Sequence, residues 1–311
     1  MPQGRHMDRN PAAALLARFR RQRPLRGGSL IITVFGDAIA PRGGAITLGS
    51  LIPLMAPFGL TERLVRTSVA RLAEDDWLAS RRVGRLSEYR LSAAGRRRFL
   101  EATRRIYGDP APGWHGRWTL LLLAGIDATR RRAAREALRW EGFGEIEPGL
   151  LAHPTLSIPA AHEHVTAAGL GVAPLILEAR AADADADRRL VQRGWDLAEL
   201  ATSYGRFLRA FAPVLRTLGG AQRPSPETAF VLRTLLIHEY RKIHLRDPLL
   251  PASLLPDDWP GTRAYELARA LYERVFVAAE QHLTRVALRL DGVLPPPEAS
   301  IFQRFAGLPR D

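Results

Sequence analysis

No cysteine occurs in the 311 residues. Disulfides, thiolate nucleophiles and cysteine-ligated zinc or iron–sulfur sites are therefore excluded. No apolar run approaches the ~18 to 20 residues that span a bilayer, and the arginine-rich start lacks the apolar core of a secretion signal. A cytoplasmic protein without a membrane partner is expected. A Gly-rich phosphate loop, a Ser nucleophile elbow and a paired-carboxylate motif are missing as well. Catalysis has little support, and no cofactor is expected.

Positive charge is what the chain has in excess, and its location is informative. The formal net charge is +13. Residues 1–105 hold 20 Lys/Arg against 8 Asp/Glu, a net of +12, whereas residues 106–311 hold 25 against 24, a net of +1. A genome-wide arginine bias would spread the excess evenly. Its confinement to one third of the chain implies a polyanion partner there, because phosphate neutralisation dominates nucleic-acid affinity. At 46% hydrophobic, the remainder can bury a core, and the length suggests two or three domains.

Within the basic third, Leu60–Leu91 is the organising stretch. Val65, Val69 and Leu72 fall on one side of a helix at i, i+4, i+7, and Arg63, Arg66, Thr67 and Ala70 fall on the other. Thr61 is its expected N-cap, and Asp75-Asp76 crowds an end that prefers cations. Residues 77–82 and 86–91 then read as strands joined across Val83-Gly84-Arg85. A basic helix followed by a basic hairpin outlines a winged helix-turn-helix with double-stranded DNA as its partner. On this outline Arg63 and Arg66 offer two donors each to guanine, Thr67 touches a base or phosphate, and Ala70 leaves room for a thymine methyl. Arg71 grips phosphate at the flank, and the capping Thr61 belongs to the same candidate DNA-binding set. Arg81, Arg82 and Arg85 reach the backbone or the adjacent minor groove from the wing.

Upstream, residues 1–28 form a basic, Pro- and Gly-punctuated arm that reads as a disordered tail, as a helix packed on the wing domain or as an arm that touches phosphate. A buried helix follows from Ser29, capped by that serine and ended before Pro41. Ala45–Thr47 is a short strand, Leu48–Met55 a helix, and Ala56–Gly59 the turn before the arginine-bearing helix. A basic helix and a linker, Asp109–Gly113, close this first domain at residue 108.

In residues 114–181, a strand at Arg117–Leu123, a helix at Thr129–Trp140, strands at Glu145–Pro148 and Leu150–His153, a helix at Ala160–Ala168 and a strand at Val172–Ala179 give the order βαββαβ. That is the ferredoxin-like order. Residues 183–311 read as helical, with helices over 183–217, 227–246 and 263–290. The expected fold class is thus α+β: an N-terminal winged helix-turn-helix, a central ferredoxin-like domain and an all-helical C-terminal domain.

The run of motifs resembles the PaaX-like family of bacterial repressors of phenylacetic-acid degradation. The resemblance rests on Gly36-Asp37, Val65-Arg66 through Arg71-Leu72, Trp77-Leu78, Gly84-Arg85 and Tyr89-Arg90-Leu91. It extends to the segment 238–261, HEYRKIHLRDPLLPASLLPDDWPG, which is similar to the signature of the family's C-terminal domain. Asp75-Asp76 departs from the pattern, where a glycine is expected. The resemblance implies a homodimeric repressor, joined through the middle domain and released from its operator by an aryl-acetyl coenzyme A such as phenylacetyl-CoA. Such an effector needs an apolar slot and cations for its phosphates. Trp195, Tyr204 and Phe207 are candidates for the slot, and Arg233, Arg241, Lys242 and Arg263 for the cations. His238, Glu239 and Tyr240 complete the candidate set. Helical spacing leaves a second outcome open, in which Arg233, Glu239, Tyr240 and Arg241 form a buried ion-pair network that only holds the loop.

Three alternatives follow from single features. The middle domain is similar to small CRISPR-associated ferredoxin-like ribonucleases, in which an aspartate after the first strand holds a metal; Asp127 occupies that place. Its competing role is the N-cap of the next helix, which Asp fills well. Metal sites around His238, Glu239, His244 and Asp247, or at His162-Glu163-His164, lack the helical i, i+4 histidine pair of a strong motif, and none is expected. The last alternative is a DNA-binding regulator of another pathway without an acyl-CoA ligand.

Overall fold

The computed structural model describes residues 10–22, 24, 27–108, 113–123, 125, 127–169, 174–220 and 223–308. Residues 1–9, 23, 25 and 26 of the expected arm, 109–112 of the expected linker, and 172–173 of the expected last strand lie outside them. The chain is a mixed α+β protein, mostly helical, with antiparallel sheets.

The arm contains helix α1 (Pro11–Arg20), started by the Asn10 side chain, which accepts from the Ala12 amide at 3.0 Å, and by proline in its first turn. Leu15 and Phe19 are buried, and Phe19 meets Phe58 edge-on at 6.2 Å. The arm is a packed helix over this range. Helix α2 (Gly27–Val34) starts two residues before the expected cap, leaving Ser29 inside it. The helical path continues beyond α2 and through Pro41. A π-helical turn over Phe35–Ile39 leads into a 3-10 turn over Ala40–Arg42, which ends on Gly43 at φ +82°. The physical reason is local. The Asp37 carbonyl would pair with the amide of residue 41, and proline has none. That carbonyl instead accepts from Arg233 and Arg304, each at 2.8 Å, so the wider turn is held by side chains from far along the chain. Gly36 in the same turn lies against the Phe99 ring, which a Cβ would meet at 2.4 Å.

Strand β1 (Ala45–Thr47), helix α3 (Leu48–Met55) and a 3-10 turn closed by Gly59 lead to helix α4 (Glu62–Glu74). Helix α4 packs on α2 and α3 through Val65, Ser68, Val69 and Leu72. Its end is a Schellman closure: Trp77 N–H reaches Leu72 O at 2.8 Å and Asp76 N–H reaches Ala73 O at 3.2 Å. Asp76 takes φ +53°, the left-handed conformation that favours glycine. This accounts for the glycine expected at that point. Strands β2 (Leu78–Val83) and β3 (Leu86–Leu91) form the hairpin, and β1 pairs with β3, giving sheet order β1-β3-β2. Helix α5 (Ala93–Tyr107) follows, capped by Ser92.

The middle of the chain supplies β4 (Trp118–Leu122), α6 (Ala128–Trp140), β5 (Gly144–Glu147), β6 (Leu150–His153), α7 (Ile158–Ala167), β7 (Leu175–Ala179) and α8 (Ala184–Gly194). All neighbouring strands are antiparallel, in the order β5-β6-β4-β7. Leu121 and Leu151 pack with Ala134, Leu138, Ala161 and Val165 of α6 and α7. Trp118 and Ala152, which alternate with them along the strands, pack with Val191 of α8 and with Leu250 and Leu254.

Helix α9 (Leu197–Leu218) is separated from α8 by extended Trp195, so the expected stretch 183–217 is a broken helix. Helices α10 (Pro226–His244) and α11 (Pro260–Val286) match two of the expected elements, but α11 stops at Val286. A small hairpin, β8 (Leu288–Arg289) with β9 (Gly292–Val293), and a 3-10 segment over Ala299–Ala306 follow it. The C-terminal third is therefore not all-helical. Nor does it stand apart: the described chain divides into two units, and residues 206–241 and 263–311 group with 1–108, whereas 242–262 group with 109–205.

Candidate nucleic-acid interface

Helix α4 is amphipathic, and each of its faces has one task. The buried side leaves Arg63, Arg66, Thr67, Ala70 and Arg71 outward, all exposed. Thr61 is spent as the N-cap, accepting from Leu64 N–H at 3.3 Å. Arg66 is held upright by Glu62, one turn earlier, at 2.7 Å, and the Thr67 hydroxyl donates to Arg63 O. Both members of the Arg66–Glu62 pair are exposed, so the pair stabilises little and yields readily to a stronger anion. Arg63 and Arg71 have no side-chain hydrogen bond or ion pair among the described residues.

The hairpin extends the basic surface. Gly84, at φ +58°, occupies the first central position of the two-residue turn between Val83 and Leu86, as a type II′ hairpin turn requires. Arg82 Nε donates to Gly84 O at 3.1 Å and braces the turn. Arg81 and Arg85 are exposed and unpaired among the described residues. Glu88 is buried at the hairpin base, where it accepts from Arg90 at 2.7 Å and from Leu290 N–H at 2.9 Å. Burial raises its pKa, but these donors outweigh that and hold it below the usual carboxylate range. The one acid of the hairpin is thereby neutralised inside, and its outer surface is left to arginine.

Residues 26–95, which carry this surface, match the family model "PaaX-like protein", and residues 195–285 match "PaaX-like protein C-terminal domain". The chain is also 38% identical over 289 residues, 92% of each protein, to the transcriptional repressor PaaX of Escherichia coli (strain K12). The chain belongs to the PaaX-like family. A solved structure of an uncharacterized protein, Rv0674, from Mycobacterium tuberculosis is 27% identical, covering 80% of this chain and 97% of that one at a TM-score of 0.49.

The effector residues expected of a PaaX-like chain fall in both units. Trp195, Tyr204 and Lys242 belong to one unit, and Phe207, Arg233, His238, Glu239, Tyr240, Arg241 and Arg263 to the other. Arg233 is 0% exposed, with Nε on Asp37 Oδ2 at 2.7 Å and a further ion pair to Glu280. It is thus no free cation for a phosphate. Arg241 donates to Ser29 O, Ser29 Oγ and Thr33 Oγ1, at 2.7 to 2.8 Å, and His238 Nδ1 lies 2.9 Å from the same threonine hydroxyl. Phe207 and Tyr240 are buried and pack on each other at 5.6 Å. Tyr204 is buried too, donating to Asp247 at 2.7 Å. Ala229–His238 of α10 are buried on every side, so Arg233 and His238 must find their partners inside the protein. The ion-pair outcome holds for Arg233, but with partners other than Glu239 and Tyr240.

Two of the expected residues do line grooves. Trp195 donates to Gly142 O at 3.1 Å and borders a groove of about 270 Å³ with Trp140, Arg139 and Arg246. Arg263 borders another, of about 630 Å³, with Arg209, Arg216, Leu208, Pro213 and Leu267. None of those three arginines has a hydrogen-bonding or ionic side-chain partner among the described residues.

Sequence reasoning missed a buried charge cluster within the unit that carries α4 and the hairpin. Asp37 Oδ1 accepts from Tyr107 Oη at 2.6 Å, Tyr272 Oη at 2.8 Å and Arg304 Nη1 at 3.0 Å. Glu280 continues the chain of charges to Arg42, which also donates to Thr284 Oγ1 and Pro295 O. Burial pushes the Asp37 carboxyl up, but Arg233, Arg304 and the two phenols outweigh it and hold it below the usual range. The phenols of Tyr107 and Tyr272 are pushed up, first by burial and also by the Asp37 charge. A signal was present, since Arg233 stands inside the apolar run Ala229–Ile237, where a charge must be paired.

Asp127 accepts from Thr129 N–H at 3.1 Å and Arg130 N–H at 3.0 Å, with the Arg130 guanidinium at 3.3 Å. Its carboxylate is committed as an N-cap. His162 Nδ1 lies 3.0 Å from Ile158 O, and His164 pairs with Glu141. Among the described residues no group of three His, Cys, Asp or Glu side chains could hold a metal ion, and no helix is long and apolar enough to cross a membrane.

Proposed function

We propose that this chain is a transcriptional repressor whose α4 enters the major groove of an operator and whose β2–β3 hairpin flanks it as a wing. The observation that carries this is the single exposed face of Arg63, Arg66, Thr67, Ala70 and Arg71 beside exposed Arg81, Arg82 and Arg85. The order α3, turn, α4, hairpin supports the winged helix-turn-helix reading, and the name of the Escherichia coli relative agrees with it. The strand order β5-β6-β4-β7 supports a ferredoxin-like middle domain. Exposed Leu175 and Leu177 on its edge strand favour a second copy as partner, which would set two recognition helices about 34 Å apart on a quasi-palindromic site.

The effector on this proposal is an aryl-acetyl coenzyme A, phenylacetyl-CoA being the family's ligand. Its seat is the groove of Arg209, Arg216 and Arg263, where unpaired guanidiniums meet phosphates and Leu208, Pro213 and Leu267 meet the apolar end. Binding lowers operator affinity through a coupling of about 1 to 3 kcal/mol.

The test is fluorescence anisotropy on the protein's own upstream DNA at fixed salt, with and without phenylacetyl-CoA, and with phenylacetate and free coenzyme A as controls. Release by the thioester alone supports DNA site, effector and coupling together. Tight binding that ignores every thioester keeps the repressor and discards the effector. Absence of specific binding discards the repressor.

A further inference from the structure

Two large aliphatic side chains stand where a hairpin turn ordinarily carries polar ones. Val83 is 51% exposed and Leu86 57%, and they are cross-strand partners on either side of Gly84-Arg85, so both project from the same face of the ribbon. Neither contributes to the fold as a buried side chain would, and their setting is unlike that of scattered surface leucines. Arg81 and Arg85, both exposed, have no ionic partner among the described residues, and Arg82 is used to stiffen the turn through Gly84 O. The hairpin's acid, Glu88, is buried at its base. The tip is thus a braced, narrow, cationic element with an apolar point.

That combination matches the minor groove of double-stranded DNA. The groove is about 6 Å wide, is walled by the apolar faces of sugars and carries a concentrated negative potential where A·T-rich sequence narrows it. Arginine is drawn to that potential, and leucine is among the side chains that wedge between base steps and kink the duplex by about 20–90°. Resting on the repressor reading, we propose that the wing tip inserts into the operator's minor groove, with Leu86, backed by Val83, wedged at a base step and Arg85 in the groove beside it. The wing then bends the operator as well as gripping it. Part of the operator's sequence preference comes from the deformability of a step that no hydrogen bond reads.

The experiment measures affinity by anisotropy and bend by end-to-end energy transfer on the same doubly labelled upstream duplex. Wild type is compared with Leu86→Ser, Val83→Ser and Arg85→Ala. Both aliphatic residues are more than half exposed, so the serine variants keep the fold, which thermal unfolding verifies. Wild type is expected to bend the duplex, Leu86→Ser to lose most of the bend, and its affinity to fall roughly 10-fold, the loss of burying about one leucine side chain. Replacing A·T by G·C in the flank should lower wild-type affinity. Replacing it by inosine·cytosine, which has no minor-groove amino group, should not, and Arg85→Ala should abolish the difference. An operator bent and bound equally by wild type and Leu86→Ser overturns the wedge while leaving the repressor intact. If wild type binds no DNA, the repressor reading falls, and the wedge with it.

Discussion

Replacing Asp37 by Asn keeps the side chain's shape and removes its charge, so it isolates what the buried cluster contributes. Four donors converge on this carboxylate: Tyr107, Tyr272 and Arg304 on one oxygen and Arg233 on the other. Asn offers a single acceptor oxygen, so its amide must turn two hydrogens toward either the phenols or Arg233. At the same time Arg304 loses its carboxylate, whereas Arg233 keeps Glu280. Removing one partner of a buried pair leaves an uncompensated charge and costs about 3–5 kcal/mol. A typical domain has only about 5–15 kcal/mol in total, so a large share of the stability should go. Urea unfolding at pH 7, followed by circular dichroism, reads the loss as a lower midpoint at unchanged slope. Adding Arg304→Met to Asp37→Asn should recover part of it, because the stranded charge is then gone and the two sites share a network. A loss below about 1 kcal/mol in Asp37→Asn would show that the cluster is solvated and refute the reasoning.

Three further outcomes are expected. Arg66→Ala should weaken operator binding by about 1–3 kcal/mol and relax the preference at one base pair, read by anisotropy across an operator mutant set; unchanged affinity removes Arg66 from the reading face. Asp76→Gly should raise stability by roughly 1 kcal/mol in thermal unfolding, since it relieves a left-handed non-glycine residue and removes a negative charge from a helix C-terminus. Stability should also fall at both pH extremes. The Asp37 carboxyl is held below its unfolded value, so its contribution is present above about pH 4 and is lost as pH drops through the folded value; the Tyr272 phenol is held above its unfolded value, so its contribution is present below about pH 10 and is lost as pH rises. Tyr272→Phe should flatten the alkaline limb, and an unaltered limb would contradict that assignment.

What could be read ahead was local. Val65, Val69 and Leu72 recur with the helical period and are buried as that period requires. Gly84 marks its turn, and the βαββαβ order needed only alternating periodicities. What could not be read was set by distance along the chain. Asp37 meets Arg233 across 196 residues and Arg304 across 267, and no window of spacing reports such a partner. Arg233 therefore stood as a candidate cation as well as a possible member of a buried network, and Tyr204 and Phe207, spaced as core residues are, looked like a slot. The β8–β9 hairpin escaped notice because its strands have two residues each. Its role is tertiary, since Leu290 N–H satisfies Glu88 of the wing.

The place of Arg304 bears on how the molecule is held together. The Asp37 carbonyl that Pro41 leaves open, and the Asp37 carboxylate beside it, find one of their donors 267 residues further along the chain. A chain lacking Arg304 keeps the arginines of α4 but leaves the buried Asp37 short of one of its two arginine partners. Loss of Arg304 would therefore destabilise the same unit that carries α4, although the two lie far apart along the chain.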